Sequence, residues 1–320
     1  MNKCIKFLLG TWVGATGLLG LMNYYHFRRE LKNAEYRIEA QQKSFLSKFG
    51  QIYYSMQGHG PPVLVVHGAG GGFDQALHFA KIFSHEFEWI APSRFGYLGT
   101  ALPKDASPQA QADAYVALLD ALKIERVPVI GLSAGGPSVL QFALRYPERC
   151  SGLVMVSAIS KAMIDVASNP EVMENLIRAL LANDWLIWLA MKLVNRKIIP
   201  PAGVPMQVIK SLDEESTNWL RDLLSVTLPV KPRRFGIVND FSQIYKLTIF
   251  PTGQISVPTL IIHAKDDSLV SIKQGRFSAQ IISHANFVEI PNGGHLLLGQ
   301  RERVKTEVEW FLKKVVGKKG

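Results

Sequence analysis

Ser133 is the residue whose surroundings most clearly predict chemistry, because it lies in the pentapeptide Gly-Leu-Ser-Ala-Gly at 131–135. The apolar run at 127–130 is typical of a buried strand, and residues 136–144 are typical of a helix with a proline in its first turn. A serine on a sharp turn between a strand and a helix stands exposed above the first helical amides, and glycines on both sides relieve the crowding of such a turn. The pattern therefore predicts a nucleophilic serine.

A base and an acid must accompany this serine, because an unassisted hydroxyl is a weak nucleophile. His295 is the candidate base. It lies on a glycine-rich loop after the strand-like run at 287–290, where an imidazole can reach the end of a neighbouring strand. The alternative is a loop or capping histidine. Asp266 and Asp267 follow another apolar run, and either carboxylate can hold the Nδ1 proton of the imidazole.

Amides for an oxyanion are expected from the sequence His-Gly-Ala-Gly-Gly-Gly at 67–72, which also follows a strand-like run. Glycine-rich backbone can turn its amides inward, because it adopts conformations that other residues avoid. The predicted donors are the amides of Ala69 and of Ala134, the residue after Ser133. A phosphate site is the alternative, but the stretch lacks the Lys-Ser/Thr pair of a P-loop and the spacing of a dinucleotide site. His67 is interpreted as a structural residue of the loop.

The elements that must position these residues alternate between apolar strand-like runs and amphipathic helical segments. This alternation predicts an α/β fold with a mainly parallel, doubly wound sheet covered by helices on both faces. We expect the sheet core at 51–157 and 258–320. Residues 158–257 show helical periodicity and no convincing strand, which indicates a helical lid inserted into the core. The sequence Asn-Pro-Glu at 169–171 is typical of a helix start within that lid.

Together these motifs resemble the α/β-hydrolase-fold serine hydrolases, of the group with an HG-x oxyanion loop, a GLSAGG nucleophile elbow and a helical lid. The resemblance covers roughly residues 51–316 and implies that fold and the chain order serine, acid, histidine. It favours Asp267 as the acid, because its spacing to Val270 matches the usual Gly-x-x-Asp-x-x-Val arrangement. Ala264 takes the place of the glycine. Asp266 is then expected to cap local amides of the turn.

Known members of this group include carboxylesterases, lipases acting on small acylglycerols, C–C bond hydrolases and proline iminopeptidases. The resemblance implies a serine hydrolase that cleaves carboxylic esters of small or lipophilic acids through an acyl-enzyme. The alternatives are another acyl-transfer hydrolase of the fold (a thioesterase, a C–C bond hydrolase or a proline-iminopeptidase-like enzyme) and a non-enzymatic ligand-binding member. A serine nucleophile argues against epoxide hydrolases and haloalkane dehalogenases, which attack with a carboxylate.

One departure from the group follows the strand-like run that ends at 91. Many relatives carry an aspartate after the proline there, whereas this chain has Pro92, Ser93 and Arg94. This segment lines the entrance in relatives, so the departure is expected to affect substrate choice. The apolar lid faces are expected mainly to bury against the body and in part to line a path for an acyl chain. The candidate substrate-binding residues are Gly70, Phe95, Trp185, Trp188 and Phe235.

The N-terminal segment contains an uncharged stretch at 7–25. As a helix it spans roughly 28 Å, close to the ~30 Å hydrocarbon layer of a membrane. We expect an uncleaved membrane-spanning anchor at 1–26 and a basic juxtamembrane linker at 27–50. The basic residues of that linker slightly favour a cytoplasmic catalytic domain. A cleavable signal peptide is the alternative, but the stretch ends without an Ala-x-Ala site.

The net charge of +10 reflects 36 Lys and Arg residues against 26 Asp and Glu residues. The basic residues are spread along the chain without a nucleic-acid motif, so no nucleic-acid partner is expected. A solvated surface and affinity for an anionic membrane are both compatible with this charge.

No Cys/His cluster has metal-ligand spacing, so neither a metal nor a cofactor is expected. Cys4 and Cys150 are expected to be free thiols. A small-molecule ester is the expected partner, and the oligomeric state is left open.

Overall fold

The protein, as a computed structural model, is described over residues 3–162, 183–248 and 250–317, with side chains from residue 20 onwards. Its chain divides into two compact units, Met1–Ala40 and Gln41–Gly320. All of the residues with predicted chemistry belong to the second unit.

The first unit is built from helix α1, Lys3–Gln41. The prediction of a linker at 27–50 is wrong, because the helix runs through the first part of this range and the next residues form a strand. Residues 28–41 include three Arg, three Glu and two Ala residues and contain neither Gly nor Pro, so nothing in the sequence ends the helix earlier. Within the described residues, no helix is both long and apolar enough for a membrane span. The anchor expected at 1–26 is therefore not supported.

The second unit contains one eight-stranded sheet in the order β1-β2-β4-β3-β5-β6-β7-β8. Its strands are β1 (Lys43–Ser47), β2 (Gly50–Gly58), β3 (Pro62–Val66), β4 (Glu88–Pro92), β5 (Val127–Leu132), β6 (Cys150–Val156), β7 (Thr259–Ala264) and β8 (Ala285–Ile290). Strand β2 pairs antiparallel with β1 and β4, and the other pairs are parallel. The mainly parallel sheet predicted from the sequence is thus confirmed. Every residue of β5 and β7 is buried, as expected for parallel strands covered on both faces.

Helices cover this sheet and form the lid. In the described residues of the second unit they are α2 (Phe73–Phe83), α3 (Pro108–Ala121), α4 (Gly136–Arg145), α5 (Asp184–Asn195), α6 (Met206–Ser211), α7 (Glu214–Ser225), α8 (Arg234–Lys246), α9 (Lys273–Ile281) and α10 (Arg301–Val316). In the body, α2 packs against α10 and α3 packs against α4. Helix α3 begins where the Ser107 side chain accepts a hydrogen bond from the Ala110 amide, with Pro108 in the first position.

Helices α5 to α8 lie in the segment that was predicted to be a lid, and its described parts, 158–162, 183–248 and 250–257, contain no strand. Helix α7 begins at Asp213, whose carboxylate accepts a hydrogen bond from the Ser216 amide. The helix start expected at 169–171 lies outside the described residues. The carboxyl ends of β5, β7 and β8 lie at one edge of the sheet, with only β6 between β5 and β7. This edge brings together the three loops that carry the predicted nucleophile, acid and base.

Candidate active site

Ser133 occupies the tight connection between β5 and α4, with a φ of +49°. This left-handed conformation is uncommon for a residue with a side chain, and it typically costs about 1–3 kcal/mol unless neighbours hold it in place. Close packing around the turn holds Ser133 in this conformation. A Cβ atom at Gly131 would lie 2.3 Å from Cγ2 of Val139, and one at Gly135 would lie 2.8 Å from the His67 carbonyl oxygen. The flanking glycines thus let the strand and helix approach closely enough to present the hydroxyl.

Ser133, His295 and Asp267 form a chain of hydrogen bonds. The Nε2 atom of His295 lies 2.9 Å from Oγ of Ser133, and its Nδ1 atom lies 2.8 Å from Oδ2 of Asp267. An ionised carboxylate only accepts hydrogen bonds, so it assigns the imidazole proton to Nδ1. The lone pair on Nε2 then faces the serine hydroxyl. This geometry allows the imidazole to take the hydroxyl proton while the carboxylate stabilises the resulting cation.

Asp267 is buried, and four donors surround its carboxylate. Oδ1 accepts hydrogen bonds from the amides of Leu269 and Val270, both at 2.9 Å. Oδ2 lies near His295 and also 3.2 Å from Nε2 of His263. Burial alone raises the pKa of the carboxyl, but the hydrogen bonds from His263 and His295 outweigh it and lower the pKa to about 2. Asp267 is therefore ionised at neutral pH.

His263 is a part of this site that sequence reasoning missed. Its buried ring lies on β7, and Nε2 donates to the Val270 carbonyl at 2.7 Å while also facing the Asp267 carboxylate. The ring thus binds both ends of the turn that carries the acid. A histidine within an otherwise apolar strand, four residues before the chosen aspartate, was the available signal.

Asp266 was expected to cap local amides of its turn, but the amides that it binds belong to a distant loop. Its two carboxylate oxygens accept hydrogen bonds from the amides of Gly293, at 3.2 Å, and Gly294, at 2.9 Å. These residues directly precede His295, whose own amide donates to the carbonyl of Gly203 in the lid at 2.9 Å. The adjacent aspartates therefore have different contacts: Asp267 binds the His295 imidazole, and Asp266 binds the loop that carries His295.

The glycine-rich loop at 67–72 passes directly over the nucleophile, since a Cβ atom at Gly68 would lie 2.9 Å from Cβ of Ser133. The amides of Gly68, Gly70 and Gly71 donate to Gln75 Oε1, the Tyr97 hydroxyl and the Gly68 carbonyl, respectively. By contrast, the amide of Ala69 has no acceptor among the described residues. This unused donor fits the predicted oxyanion role of Ala69. Ala134, the other predicted donor, is buried in the turn that follows Ser133.

His67 is a structural residue of the loop, as interpreted from the sequence. Its Nδ1 donates to the Gly68 carbonyl at 2.7 Å, and its Nε2 accepts from the Arg94 amide at 2.9 Å. This pattern requires a neutral ring with its proton on Nδ1. Burial, followed by the nearby Arg94 charge, holds the pKa of His67 well below its ordinary value, in agreement with that tautomer.

Arg94 lines a cavity together with Phe95, Ala134 and Asp240, so the expected effect of this segment on substrate choice stays a prediction. Its guanidinium is buried and binds both oxygens of Asp240 on α8, at 2.5 and 2.6 Å. Phe95 lines the same cavity, and its buried ring packs in a cluster with Ile52 and Ala110, so its binding of substrate stays a prediction. Arg94, in the segment that departs from the relatives, thus forms an internal ion pair with Asp240.

The other candidate substrate-binding residues differ in exposure. Trp188 is buried, with the Lys192 ammonium 5.0 Å from its ring centre, whereas Trp185 and Phe235 are partly exposed, at 37% and 47%. Gly70 has a φ of +73°, and its amide is bound to the Tyr97 hydroxyl. Binding of substrate by these residues stays a prediction.

The model of the protein family described as alpha/beta hydrolase fold matches residues 61–302 of this chain, about three quarters of its length. The chain belongs to the alpha/beta hydrolase fold family. The resemblance inferred from the motifs is therefore confirmed at the level of the family.

Individual relatives agree with this assignment. The chain is 29% identical over 266 residues to the uncharacterised hydrolase YcgS of Bacillus subtilis, covering 80% of this chain and 92% of that protein. It is 26% identical over 260 residues to the poly(3-hydroxyalkanoate) depolymerase of Ectopseudomonas oleovorans, covering 79% and 85%. An alpha/beta hydrolase fold protein from Nakamurella multipartita has a similar solved structure, with a TM-score of 0.69 and 27% identity, covering 85% of this chain and 99% of that one. The protein is thus a hydrolase of this fold.

Proposed function

We propose that this protein is a serine hydrolase that cleaves carboxylic esters of small or lipophilic acids. The observation that carries the proposal is the hydrogen-bond chain from Ser133 through His295 to Asp267, with the serine held at a left-handed φ. A serine hydroxyl next to the free lone pair of an oriented imidazole is suited to nucleophilic attack on a carbonyl. The similarity to a poly(3-hydroxyalkanoate) depolymerase supports an ester as the substrate.

In the first half of the reaction, Ser133 Oγ attacks the ester carbonyl carbon as its proton passes to Nε2 of His295. The carbonyl electron pair moves onto oxygen, where the amides of Ala69 and Ala134 stabilise the charge. Loss of one such donor typically costs about 3–4 kcal/mol of transition-state stabilisation. The C–O bond to the leaving alcohol then breaks, the alcohol takes the proton from the imidazolium, and an acyl-serine is formed.

In the second half, a water molecule transfers a proton to His295 as its oxygen attacks the acyl carbon. The bond to Ser133 breaks, the serine oxygen recovers the proton, and the acid is released. Asp267 stabilises the imidazolium in both halves.

An aminopeptidase has weaker support than an esterase. Such an enzyme needs a free carboxylate to bind the substrate's amino terminus, and Asp240 is one carboxylate of the predicted lid. Its carboxylate already binds Arg94 and the Tyr97 hydroxyl. Asp240 is therefore not available to hold a cationic group of a substrate.

The test is the variant Ser133→Ala, compared with wild type by fluorophosphonate labelling and by a substrate panel. Wild type should be labelled and should hydrolyse p-nitrophenyl esters faster than aminoacyl amides or acyl thioesters. The variant should lose both properties and keep its circular dichroism spectrum. Labelling of the variant at another residue would refute the nucleophile, and faster turnover of amides or thioesters would refute the ester preference.

A further inference from the structure

Two buried ion pairs join the lid to the body beside the oxyanion loop. On one side, Arg94 of the body binds Asp240 of α8 through both carboxylate oxygens. On the other, Arg233, just before α8, binds Asp74 at the start of α2, at 2.7 and 3.0 Å. All four side chains are buried. Breaking such a pair by removing one partner leaves an uncompensated charge in the interior, so each pair strongly constrains the segments that it joins.

Arg94 connects its ion pair directly to the start of the oxyanion loop. Its Nε donates to the His67 carbonyl at 3.0 Å, and its amide donates to Nε2 of the same histidine at 2.9 Å. One residue thus holds His67 through both its backbone and its ring. The Asp240 carboxylate holds the guanidinium in the orientation that makes the first of these contacts.

Tyr97 provides a second connection from the same carboxylate. Its buried hydroxyl donates to Oδ2 of Asp240 at 2.5 Å and accepts a hydrogen bond from the Gly70 amide at 3.3 Å. Burial and the neighbouring Asp240 raise the pKa of Tyr97 well above its ordinary value, so the hydroxyl keeps its proton. The network therefore reaches Gly70 on one side of Ala69 and His67 on the other.

The second ion pair supports the far end of the loop. Arg233 Nη1 donates to the Gly71 carbonyl at 2.7 Å. Its Nε donates to the Pro229 carbonyl within the lid at 3.0 Å. The loop is thus attached to the lid at both ends of the stretch that contains Ala69, the amide without an acceptor.

We infer that Asp240 is a positioning residue for the oxyanion hole: from the lid, it orients the Ala69 amide through Arg94 and Tyr97. This inference rests on the proposed function, because it assigns the Ala69 amide to the ester oxyanion. It predicts that the lid contributes to transition-state stabilisation as well as to covering the site. Asp240 then affects kcat without touching the substrate.

Two substitutions weaken the network to different degrees. Tyr97→Phe removes one oxygen atom and keeps the ion pair, whereas Asp240→Asn removes the charge that holds Arg94. Asp213→Asn is the matched control, because it neutralises another lid carboxylate, and asparagine caps a helix as well as aspartate does. All variants are measured with a p-nitrophenyl ester and with its thiocarbonyl analogue, whose sulfur is a poor acceptor of amide hydrogen bonds.

A misplaced oxyanion donor should slow hydrolysis of the carbonyl ester more than hydrolysis of its thiocarbonyl analogue. Loss of a whole donor lowers kcat by about 10²–10³-fold, so displacement of one should cost about tenfold in Tyr97→Phe and more in Asp240→Asn. KM should stay within about twofold of wild type, since the interaction is made in the transition state. Turnover of the thiocarbonyl ester should fall much less, and Asp213→Asn should match wild type with both substrates.

Three results would overturn the inference: wild-type kcat in Tyr97→Phe, equal losses for the two esters, or a change confined to KM. If Asp240→Asn does not fold, Tyr97→Phe decides alone, because its melting temperature can be compared with that of wild type. Failure of the proposed function is recognised separately, since wild type would then neither hydrolyse the ester nor react with a fluorophosphonate.

Discussion

Asp267 receives hydrogen bonds from two imidazoles, those of His263 and His295, and this sharing has consequences for stability as well as for chemistry. The two amides on its other oxygen complete the set of donors. A carboxylate with four donors is held in one orientation, which in turn holds the His295 ring toward Ser133. The neighbouring Asp266 has no contact of this kind, because its oxygens bind the amides of Gly293 and Gly294.

This difference predicts unequal effects on activity. Asp267→Asn should lower kcat by up to about 10⁴-fold, because an amide in that place disfavours the required imidazole tautomer. Asp266→Asn should lower it far less, since the asparagine oxygen still accepts one of the two loop amides. Both kcat values are measured with one ester. A larger loss of kcat in Asp266→Asn than in Asp267→Asn would instead assign the role of the acid to Asp266.

The same donors predict a pH dependence of stability. The pKa of Asp267 falls from an ordinary value of 3.8 to about 2 on folding, so the folded chain binds this proton less tightly than the unfolded chain. The resulting stabilisation, about 2 kcal/mol, is present above about pH 4 and is lost as the pH falls toward 2. Asp267→Asn lacks this contribution. Urea unfolding from pH 5 to pH 2 should therefore show wild type losing stability relative to the variant, and a constant difference would contradict the assignment.

At the level of elements, the turn from β5 to α4 depends on close approach of backbone segments. A Cβ atom at Gly135 would meet two carbonyl oxygens, those of His67 at 2.8 Å and Val66 at 3.0 Å. Backbone atoms cannot rotate away as a side chain can. The strand that carries the oxyanion loop and the helix after the nucleophile are thus packed at the shortest possible distance.

Gly135→Ala should therefore destabilise the protein by about 1–3 kcal/mol and reduce ester hydrolysis, because β3 and α4 must move apart. Gly253→Ala is the control: the added Cβ atom would lie 3.4 Å from Cγ2 of Ile281, an ordinary contact. The free energy of unfolding in urea and kcat are measured for both. Equal stability of the two variants would show that the turn tolerates a side chain.

The elements that the sequence predicted well are those with a strong local signal. Helix α4 has a proline in its first turn, and the apolar runs of β5 and β7 favour buried strands. The end of α1 was misplaced because residues 28–41 were judged by charge and not by helix propensity. The ion pair of Arg94 with Asp240 could not be foreseen, since its partners are 146 positions apart and neither lies in a recognisable motif.

On the scale of the whole molecule, the sheet, its helices and the lid all belong to the unit Gln41–Gly320. Its first strand begins at Lys43, and the side chain of Ser55 donates to the Gln41 carbonyl at 2.8 Å. The α/β fold of this unit could be predicted because strand-like runs, helical segments and motifs alternate regularly along the sequence. The natural substrate was beyond prediction, since selectivity depends on the shape of a cavity formed by distant segments.

A chain that begins at Gln41 should therefore fold and hydrolyse the same p-nitrophenyl ester as the full chain. We expect a single cooperative unfolding transition and a kcat within about twofold, because all residues of the proposed mechanism are retained. Calorimetry and steady-state kinetics on both chains test this. Loss of cooperativity in the shorter chain would show that the N-terminal unit is needed for folding of the body.

The contact between the His295 amide and the Gly203 carbonyl has a practical meaning for protein engineering. When lid segments are exchanged between homologous enzymes, the lid is assumed to be separable from the body. Here a chimera would lose the backbone partner of His295, the proposed general base, together with the original lid segment. A graft would therefore have to reproduce this carbonyl, or its low turnover would be mistaken for poor recognition of the new substrate.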